Sequence, residues 1–333
     1  MQELNKLNLA HLPTPVQSLD KLTAMVRECN EKCPEIHIKR DDFSGIEVSG
    51  NKIRKLEYSL LEAKEQGCDL LITCGGIQSN HCRATAAIGA KLGMRVVLLL
   101  RGEDGESPVG NHFMDGLFGA SVHMISPEEI ETGLEEFFPK FSAVYQREGY
   151  TPYLIPTGAS NGIGAFGYKN CMKEILEENN GHAYDAIVVT VGSAGTYAGL
   201  LLGKEAYGYK GDVFGINIAA DHDYFFQRTA GVIEESNAYL DKPVSVPKEW
   251  IKIIDGYQGD GYALNRPEDF KFIEKIGALE GLLVDPVYTG KALKGLVSEC
   301  EKGKFDAYKK ILFIHTGGIY GLLAKASEME AHL

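Results

Sequence analysis

The chain has 333 residues, of which 44% are hydrophobic and 24% are charged, and its formal net charge is −12 at pH 7. These proportions are typical of a globular protein, and the negative charge argues against nucleic-acid binding, which normally requires a basic face. The most apolar runs, residues 94–100 and 185–191, are far shorter than the ~20 residues of a membrane span, so we expect no membrane segment.

The N-terminus and the cysteines indicate a cytoplasmic protein. Residues 1–15 lack a basic stretch followed by an apolar one, so we expect no signal peptide. The seven cysteines are odd in number and scattered, which favours reduced thiols. Cys29, Cys33 and His37 are spaced like part of a zinc site, but the second pair of ligands is missing. We therefore expect no metal.

Strand-like and helical stretches alternate along most of the chain. Predicted strands cover residues 69–76, 94–100, 121–125, 153–158, 186–192, 213–217 and 311–318. Predicted helices cover residues 79–93, 111–120 and 126–138. This alternation predicts an α/β fold built on parallel sheets with helices on both faces. Residues 218–265 are polar and contain prolines, and their sequence supports no detailed prediction.

Several predicted strands end in a glycine cluster, which is where parallel sheets bind ligands. The clearest case is TVGSAGT, residues 190–196, because a predicted helix follows it. Backbone N–H groups and the helix dipole at such a loop predict a phosphate site. The loop matches neither the dinucleotide fingerprint nor the Walker motif, which argues against both ligands. A turn that serves only close packing is the alternative.

A basic cluster begins a predicted helix within residues 49–60. Lys52, Arg54 and Lys55 follow Gly50 and Asn51 directly. A reactive lysine needs a lowered pKa, and a helix N-terminus with two neighbouring cations predicts such a shift for Lys52. A solvated basic patch is the alternative interpretation.

Polar and aromatic side chains at strand ends and in loops complete the candidate set. They are Ser79, Asn80, Tyr262, Tyr288, Thr289 and Thr316. Helix capping or core packing is the alternative for each of them. Together with Lys52 and the glycine loop, they supply a lysine nucleophile, a phosphate cradle and groups to hold a ring. A pyridoxal phosphate enzyme needs this combination.

Five ordered motifs, GNKIRKLEY, GGIQSNHCR, VGSAGT, DPVYTGKA and HTGG, resemble those of the fold type II pyridoxal phosphate enzymes. Within that family they match the branch that contains D-cysteine desulfhydrase and 1-aminocyclopropane-1-carboxylate (ACC) deaminase. The resemblance implies pyridoxal 5′-phosphate, a small amino-acid substrate and a homodimer. It also implies two domains, each a mostly parallel twisted sheet flanked by helices, with the cofactor in the cleft between them. Residues 1–48 and 157–333 would form the large domain, and residues 49–156 a small domain inserted in it.

The resemblance also implies roles for individual residues. Lys52 would bind the cofactor covalently, Lys55 and the glycine loop would hold its phosphate, and Asn80 would contact its 3′ oxygen. The residues expected at the cofactor are Asn51, Lys52, Lys55, Asn80, Gly192, Ser193, Ala194, Gly195, Thr196, Thr289 and Thr316. The residues expected at the substrate are Gln78, Ser79, Asn80, His81 and Tyr288. The catalytic set would be Lys52, Ser79, Tyr262 and Tyr288.

Two positions separate the activities within this branch. ACC deaminases carry glutamate after the DPVY tyrosine and leucine in the last-strand motif, whereas this chain has Thr289 and Thr316. A carboxylate near the pyridine nitrogen keeps that nitrogen protonated and makes the ring a strong electron sink. A threonine hydroxyl offers only a hydrogen bond, which suffices when the leaving group is a thiolate. The pattern predicts a carbon–sulfur lyase that converts D-cysteine to pyruvate, hydrogen sulfide and ammonia by β-elimination.

Other functions remain open at this point. They are ACC deamination, elimination of sulfite from L-cysteate, β-replacement of the cysteine-synthase kind, and phosphate binding without catalysis. The paired tyrosines argue against β-replacement. Which of Lys52, Tyr262 and Tyr288 removes the Cα proton also remains open.

Overall fold

The computed structural model describes residues 3–102, 107–126, 129, 134–178 and 184–331, and all structural statements below concern these residues. Its strands are β1 (Val16–Ser18), β2 (Glu35–Lys39), β3 (Leu70–Gly76), β4 (Arg95–Arg101), β5 (Ser121–Met124), β6 (Pro152–Ile155), β7 (Ala186–Val191), β8 (Asp212–Asn217), β9 (Lys252–Ile254) and β10 (Lys310–Ile314). Its helices are α1 (Asp20–Cys29), α2 (Lys52–Glu65), α3 (Asn80–Leu92), α4 (Gly110–Leu117), α5 (Leu134–Arg147), α6 (Gly162–Glu178), α7 (Gly195–Tyr207), α8 (His222–Ser236), α9 (Pro267–Glu280), α10 (Thr289–Glu301), α11 (Ile319–Ala324) and α12 (Ala326–Glu330).

The strands form two sheets. One has the order β1-β2-β10-β7-β8-β9, and in it only the β1–β2 pair is antiparallel within the described chain. The other has the order β5-β4-β3-β6 and is parallel throughout. The predicted α/β class, with two mostly parallel sheets flanked by helices, is confirmed. The strands of the second sheet lie within residues 49–156, but the domain boundaries themselves stay a prediction.

Apolar residues on both faces of the strands build the core. All six residues of β7 are buried, as expected for a parallel strand covered by helices on both sides. Along β10, Ile311 and Phe313 pack into one apolar cluster, whereas Leu312 and Ile314 pack into another. This alternation follows from the two-residue period of a strand. The larger sheet therefore separates two cores.

The predicted elements agree with the structure in type and in approximate place, but several of them end earlier than predicted, for example at Ile155 and at Leu117. The last strand ends at Ile314, so residues 315–318 form a loop that is free to contact other elements. The predicted helix 126–138 falls partly outside the described residues, and its described part is helical from Leu134. Residues 218–265, which supported no prediction, contain α8 and β9. Among the described residues no helix is long and apolar enough to cross a membrane.

The structure shows the state of the cysteines and of the suspected zinc ligands. All seven cysteines are free thiols. Cys29 is exposed, whereas Cys33 is buried beside the thiol of Cys300. Within the described ranges no group of three or more His, Cys, Asp or Glu side chains could hold a metal ion.

A buried ion-pair network anchors the first turn of α2. Arg54 Nη2 lies 2.8 Å from Asp41 Oδ1, and Arg54 Nη1 lies 2.8 Å from Glu174 Oε2 on α6. Tyr168 also donates a hydrogen bond to Asp41. Burial by itself would raise the pKa of Asp41, but the Arg54 guanidinium outweighs it and lowers that pKa. The charge of Arg54 is therefore committed to the fold, so Arg54 supports α2 and does not face a ligand.

Replacing Arg54 with methionine leaves the buried Asp41 without its ion-pair partner, whereas Glu174 keeps Lys39 Nζ at 2.7 Å. We expect Arg54→Met to lower the free energy of unfolding by about 3–5 kcal/mol, because an uncompensated buried carboxylate remains. Urea denaturation followed by circular dichroism measures this change. Arg266→Met is the matched control, since Arg266 forms an exposed pair with Asp260 and should matter little. Equal effects of the two substitutions would contradict the importance of the buried network.

Candidate active site

The glycine loop predicted to bind phosphate connects β7 to α7. Ala194 has a φ of +67°, a left-handed conformation that is uncommon for a residue with a side chain, and it directly precedes the helix. The backbone N–H of Gly195 donates to Ser160 Oγ over 3.2 Å. A Cβ atom at Gly195 would lie 2.6 Å from that oxygen, so only glycine fits there. The loop is therefore held tightly at the N-terminus of α7, where backbone N–H groups favour an anion.

A buried cation lies beside this loop. Lys55 is fully buried, and its Nζ donates to Ser160 Oγ over 3.2 Å, while Ser160 Oγ lies 2.8 Å from Ser193 Oγ. Burial, together with the charges of Lys52 and Arg228, lowers the pKa of Lys55 well below its ordinary value. Within the described part of the chain no carboxylate pairs with Lys55. Without an anion the buried Lys55 amine favours its neutral form, and a ligand that brings a phosphate would stabilise the charged form, so the site fits such a ligand.

Lys52 is the first residue of α2 and is connected to the same loop. Its Nζ donates to Asn51 Oδ1 over 3.0 Å, and Asn51 Nδ2 donates to Thr196 Oγ1 over 2.9 Å. Burial lowers the pKa of Lys52 to about 8, against an opposing effect of the Asp285 charge. The direction of this shift is the predicted one, but burial of the amine causes it, and not the charge of Arg54. Desolvation lowers the pKa, whereas Arg54 is neutralised by its own partners.

The loop after β10 brings Thr316 to the start of α2. The backbone N–H of Asn51 donates to the Thr316 carbonyl over 3.2 Å. Gly50 has a φ of +110°, and a Cβ atom there would lie 2.6 Å from the same carbonyl oxygen. The close contact of the two backbones therefore depends on glycine. It places the ends of β7 and β10 and the start of α2 around one site.

Two tyrosine hydroxyl groups meet on another side of this site. Tyr262 and Tyr288 are hydrogen-bonded to each other through their hydroxyl groups. A Cβ atom at Gly76, the last residue of β3, would lie 2.9 Å from Tyr262 Cε1, and one at Gly192 would lie 3.7 Å from the Tyr288 ring. The pair thus extends from the end of one sheet to the end of the other. Burial raises the pKa of both tyrosines, so both hydroxyl groups stay protonated near neutral pH.

The loop between β3 and α3 carries the predicted substrate contacts. Ser79 caps α3, because its Oγ accepts a hydrogen bond from the backbone N–H three residues on, over 3.2 Å. Gln78 Oε1 accepts from the backbone N–H of Asn111 over 2.9 Å, and Asn80 Oδ1 accepts from Asn111 Nδ2 over 3.0 Å. The side chains of Gln78 and Asn80 are therefore tied to the start of α4. Their roles at a ligand stay predictions.

His81 is bound into the smaller sheet. Its Nε2 lies 2.8 Å from Thr73 Oγ1, and that hydroxyl donates its own hydrogen to the Ile155 carbonyl over 2.7 Å. Nε2 must then carry the imidazole proton, which leaves Nδ1 as a buried acceptor without a partner among the described residues. Burial, reinforced by Lys52 and Lys55, lowers the pKa of His81 well below its ordinary value. The imidazole is therefore neutral, and its predicted contact with the substrate stays a prediction.

The hydroxyl of Thr289 is occupied at the start of α10. It donates to Asp285 Oδ1 over 2.7 Å and accepts from the Asp285 backbone N–H over 2.8 Å. Asp285 is fully enclosed and also accepts from the backbone N–H groups of Val287 and Tyr288. A contact of Thr289 with the ring of a cofactor, which the sequence predicts, would have to share this hydroxyl with Asp285.

Several residues of the site were missed by sequence reasoning. Ser160 lies in PTGASNGIGAFG, a glycine-rich segment that begins within a predicted strand and that the sequence does not connect with the phosphate loop. Arg228 donates to the Ser160 carbonyl from α8, within a segment that supported no prediction. Asp285 precedes the predicted Tyr288, and Asn111 lies in a helix that carried no motif. Ser160 and Asn111 contact the glycine loop and the loop after β3 from distant positions in the sequence, so neither loop by itself indicates them.

Known proteins with similar sequences identify the family of this chain. The sequence profile of the family described as pyridoxal-phosphate dependent enzyme matches residues 7–317. A Thermotoga maritima protein named "Putative 1-aminocyclopropane-1-carboxylate deaminase" is 39% identical and aligns over 97% of this chain and 99% of its own. A mitochondrial protein of Arabidopsis thaliana, named bifunctional D-cysteine desulfhydrase/1-aminocyclopropane-1-carboxylate deaminase, is 40% identical over 97% of this chain and 80% of its own.

A solved structure has the same fold as this chain. The crystal structure of an ACC deaminase homologue superposes with a TM-score of 0.88 at 34% sequence identity. It covers 98% of this chain and 96% of the other. The lysine amine, the anion-binding loop and the buried cation are the groups that a phosphorylated aldehyde cofactor requires. The chain belongs to the family of pyridoxal-phosphate dependent enzymes.

Proposed function

We propose that this enzyme releases hydrogen sulfide from D-cysteine by β-elimination. The observation that carries the choice of substrate is the residue after the DPVY tyrosine. It is Thr289, whose hydroxyl is bonded to Asp285, and no glutamate stands at this position. A neutral group there suits a substrate whose β-substituent is already a good leaving group. The reaction consumes D-cysteine and water and yields pyruvate, hydrogen sulfide and ammonia.

In this proposal, different residues bind the phosphate, the aldehyde and the 3′ oxygen of the cofactor. Lys55, the N-terminus of α7 and the nearby Arg228 supply positive charge for the phosphate. Lys52 supplies the amine that binds the aldehyde, and Asn80 supplies an amide for the 3′ oxygen. Bound pyridoxal 5′-phosphate provides an electron sink that stabilises negative charge at the Cα atom of the amino acid.

Lys52 is the best candidate for the group that removes the Cα proton. An amine with a pKa of about 8 is partly unprotonated at neutral pH and can accept a proton. Burial raises the pKa of Tyr262 and of Tyr288, which keeps both hydroxyl groups from acting as bases. The tyrosine pair is suited to the opposite role. A neutral hydroxyl can donate a proton to the sulfur when the Cβ–S bond breaks.

ACC deamination is the second candidate. Its support comes from the names of the relatives, one of which carries both activities in a single name. Opening a cyclopropane ring demands more of the electron sink than the loss of a thiolate does. In this chain Thr289 offers no carboxylate for that purpose, which favours D-cysteine.

Location and assembly belong to the same proposal. Free thiols at all seven cysteines fit a reducing compartment such as the cytoplasm. A homodimer follows from the resemblance to the fold type II enzymes. Size-exclusion chromatography with light scattering would measure the mass of the assembly.

Removal of the Lys52 amine should abolish covalent binding of the cofactor. We expect Lys52→Ala to lose the visible absorbance band of the lysine-bound cofactor and to lower the rate of pyruvate formation by at least about 1000-fold. Lys64→Ala is the matched control, because Lys64 is an exposed lysine near the end of the same helix. If Lys52→Ala keeps the band, another lysine binds the cofactor.

The lowered pKa of Lys52 predicts how cofactor binding depends on pH. Only the unprotonated amine attacks an aldehyde, so the rate at which cofactor-free protein binds pyridoxal 5′-phosphate should rise with pH and level off above about 8. Stopped-flow absorbance measures this rate. Nα-acetyl-lysine, whose amine has an ordinary pKa of about 10.4, should continue to react faster as the pH rises further. A rate that follows the free amino acid would contradict a desolvated Lys52.

A panel of substrates decides between the two candidate reactions. The purified enzyme is incubated with D-cysteine, L-cysteine, L-cysteate, β-chloro-D-alanine or ACC, and the 2-oxo acid produced is measured. We expect D-cysteine and β-chloro-D-alanine to react, and kcat/KM for ACC to be at least about 100-fold lower, a difference of about 2.7 kcal/mol in the barrier. A kcat/KM for ACC equal to that for D-cysteine would reject the argument from Thr289.

A further inference from the structure

A buried arginine determines the orientation of an asparagine near the site. The guanidinium of Arg83, on α3, is fully buried, and its Nε donates to Asn111 Oδ1 over 2.7 Å. Its other donors reach the carbonyls of Glu47 and Ser49, the latter over 2.7 Å. A guanidinium can only donate hydrogen bonds, so the oxygen of the Asn111 amide must face Arg83. The Nδ2 group of Asn111 then points the other way.

The orientation of Asn111 in turn determines that of Asn80. Asn111 Nδ2 donates to Asn80 Oδ1 over 3.0 Å and to the Gln78 carbonyl over 3.0 Å. Since Nδ2 is a donor, the oxygen of the Asn80 amide is the end that faces Asn111. The Nδ2 group of Asn80 has no partner within the described chain, although the residue is 6% exposed. It is the free donor at the end of a chain of hydrogen bonds in which Arg83 donates to Asn111 and Asn111 donates to Asn80.

We propose that Asn111 is a positioning residue that holds the Asn80 amide with its N–H donor, and not its oxygen, available to the cofactor. The inference rests on the proposed contact of Asn80 with the 3′ oxygen. That oxygen is anionic when the cofactor is bound to lysine, and it accepts a hydrogen bond from an N–H but is repelled by a carbonyl oxygen. We call the three side chains Arg83, Asn111 and Asn80 the donor relay.

The relay addresses a specific ambiguity of an asparagine side chain. The two ends of an amide are nearly equal in shape, so packing alone does not select which end faces a ligand. A chain of hydrogen bonds that begins at the Arg83 guanidinium does select the end, because a guanidinium can only donate. The bond from Arg83 to the Ser49 carbonyl also ties the relay to the segment that leads into Asn51 and Lys52.

Asn111→Asp tests the relay, because it preserves size but removes the donor. The new carboxylate still accepts from Arg83 but repels Asn80 Oδ1, so the Asn80 amide should turn over and present its oxygen to the cofactor. Loss of the donated hydrogen bond makes the 3′ oxygen more basic. We expect the pH midpoint of the absorbance change of the Lys52-bound cofactor to rise by about one unit. Release of the cofactor during dialysis should be about 10-fold faster.

Asn111→Ala serves as a second variant without the added charge, and it decides by the same criterion if Asn111→Asp does not fold. His112→Ala is the control, since within the described residues the His112 side chain makes no hydrogen bond to the loop at 78–80. Asp115, one turn further along α4, is unchanged in every variant. Burial raises the pKa of Asp115 to about 8 and the Arg83 charge opposes this rise. A carboxylate at position 111 beside Arg83 alters this balance, whereas Asn111→Ala adds no charge, so a shift of the midpoint that occurs in both variants does not come from Asp115.

The two variants separate positioning from packing. A shifted midpoint in both, with an unshifted one in His112→Ala, supports the relay. A lower melting temperature with an unchanged midpoint and unchanged release assigns Asn111 to packing alone and overturns the inference. The proposed function fails by a different result, namely wild-type enzyme that shows the cofactor band but forms no pyruvate from D-cysteine.

Discussion

The burial of two lysine amines in one cleft is the constraint on which the site depends. Lys52 and Lys55 are one helical turn apart, and burial lowers the pKa of each. For Lys52 the desolvation produces an amine that can react near neutral pH. For Lys55 it leaves a cation that is stable only beside an anion. In the proposed site, one physical effect therefore prepares Lys52 for the aldehyde and Lys55 for the phosphate of the cofactor, and the glycine loop after β7 would add backbone N–H donors for the phosphate.

Such a site requires a frame that covers both lysines and leaves Lys55 without a paired carboxylate among the described residues. Arg54 lies between them in sequence but points to Asp41 and Glu174, so the same turn of α2 carries both the reactive amine and its anchor. The close contact of Gly50 with the Thr316 carbonyl fixes the position of the residues that lead into α2. Lys52, the first residue of α2, is thus positioned by contacts with residues far away in the chain.

The direction of the hydrogen bonds fixes how two amide side chains of the site are oriented. Asn51 receives a bond from Lys52 and gives one to Thr196, and Asn80 receives one from Asn111. Asn51 is oriented by the Lys52 amine, and Asn80 is oriented through Asn111 by the Arg83 guanidinium, which can only donate. Tyr262 and Tyr288, kept neutral by burial, complement these groups with hydroxyl protons. Threonine at position 289, whose hydroxyl is bonded to Asp285, is the basis of the proposed preference for D-cysteine.

Local sequence determined the alternation of strands and helices, the glycine loop at 192–196 and the basic start of α2, because apolar period, glycine content and charge are properties of short segments. It also supported the family, through five ordered motifs. Only the tertiary structure decided that Arg54 is a structural cation and that burial, not neighbouring charge, lowers the pKa of Lys52. It likewise revealed Ser160, Arg228 and Asn111 at the site. Desolvation and hydrogen-bond partners depend on which distant segments cover a residue, and no short segment of sequence contains that information.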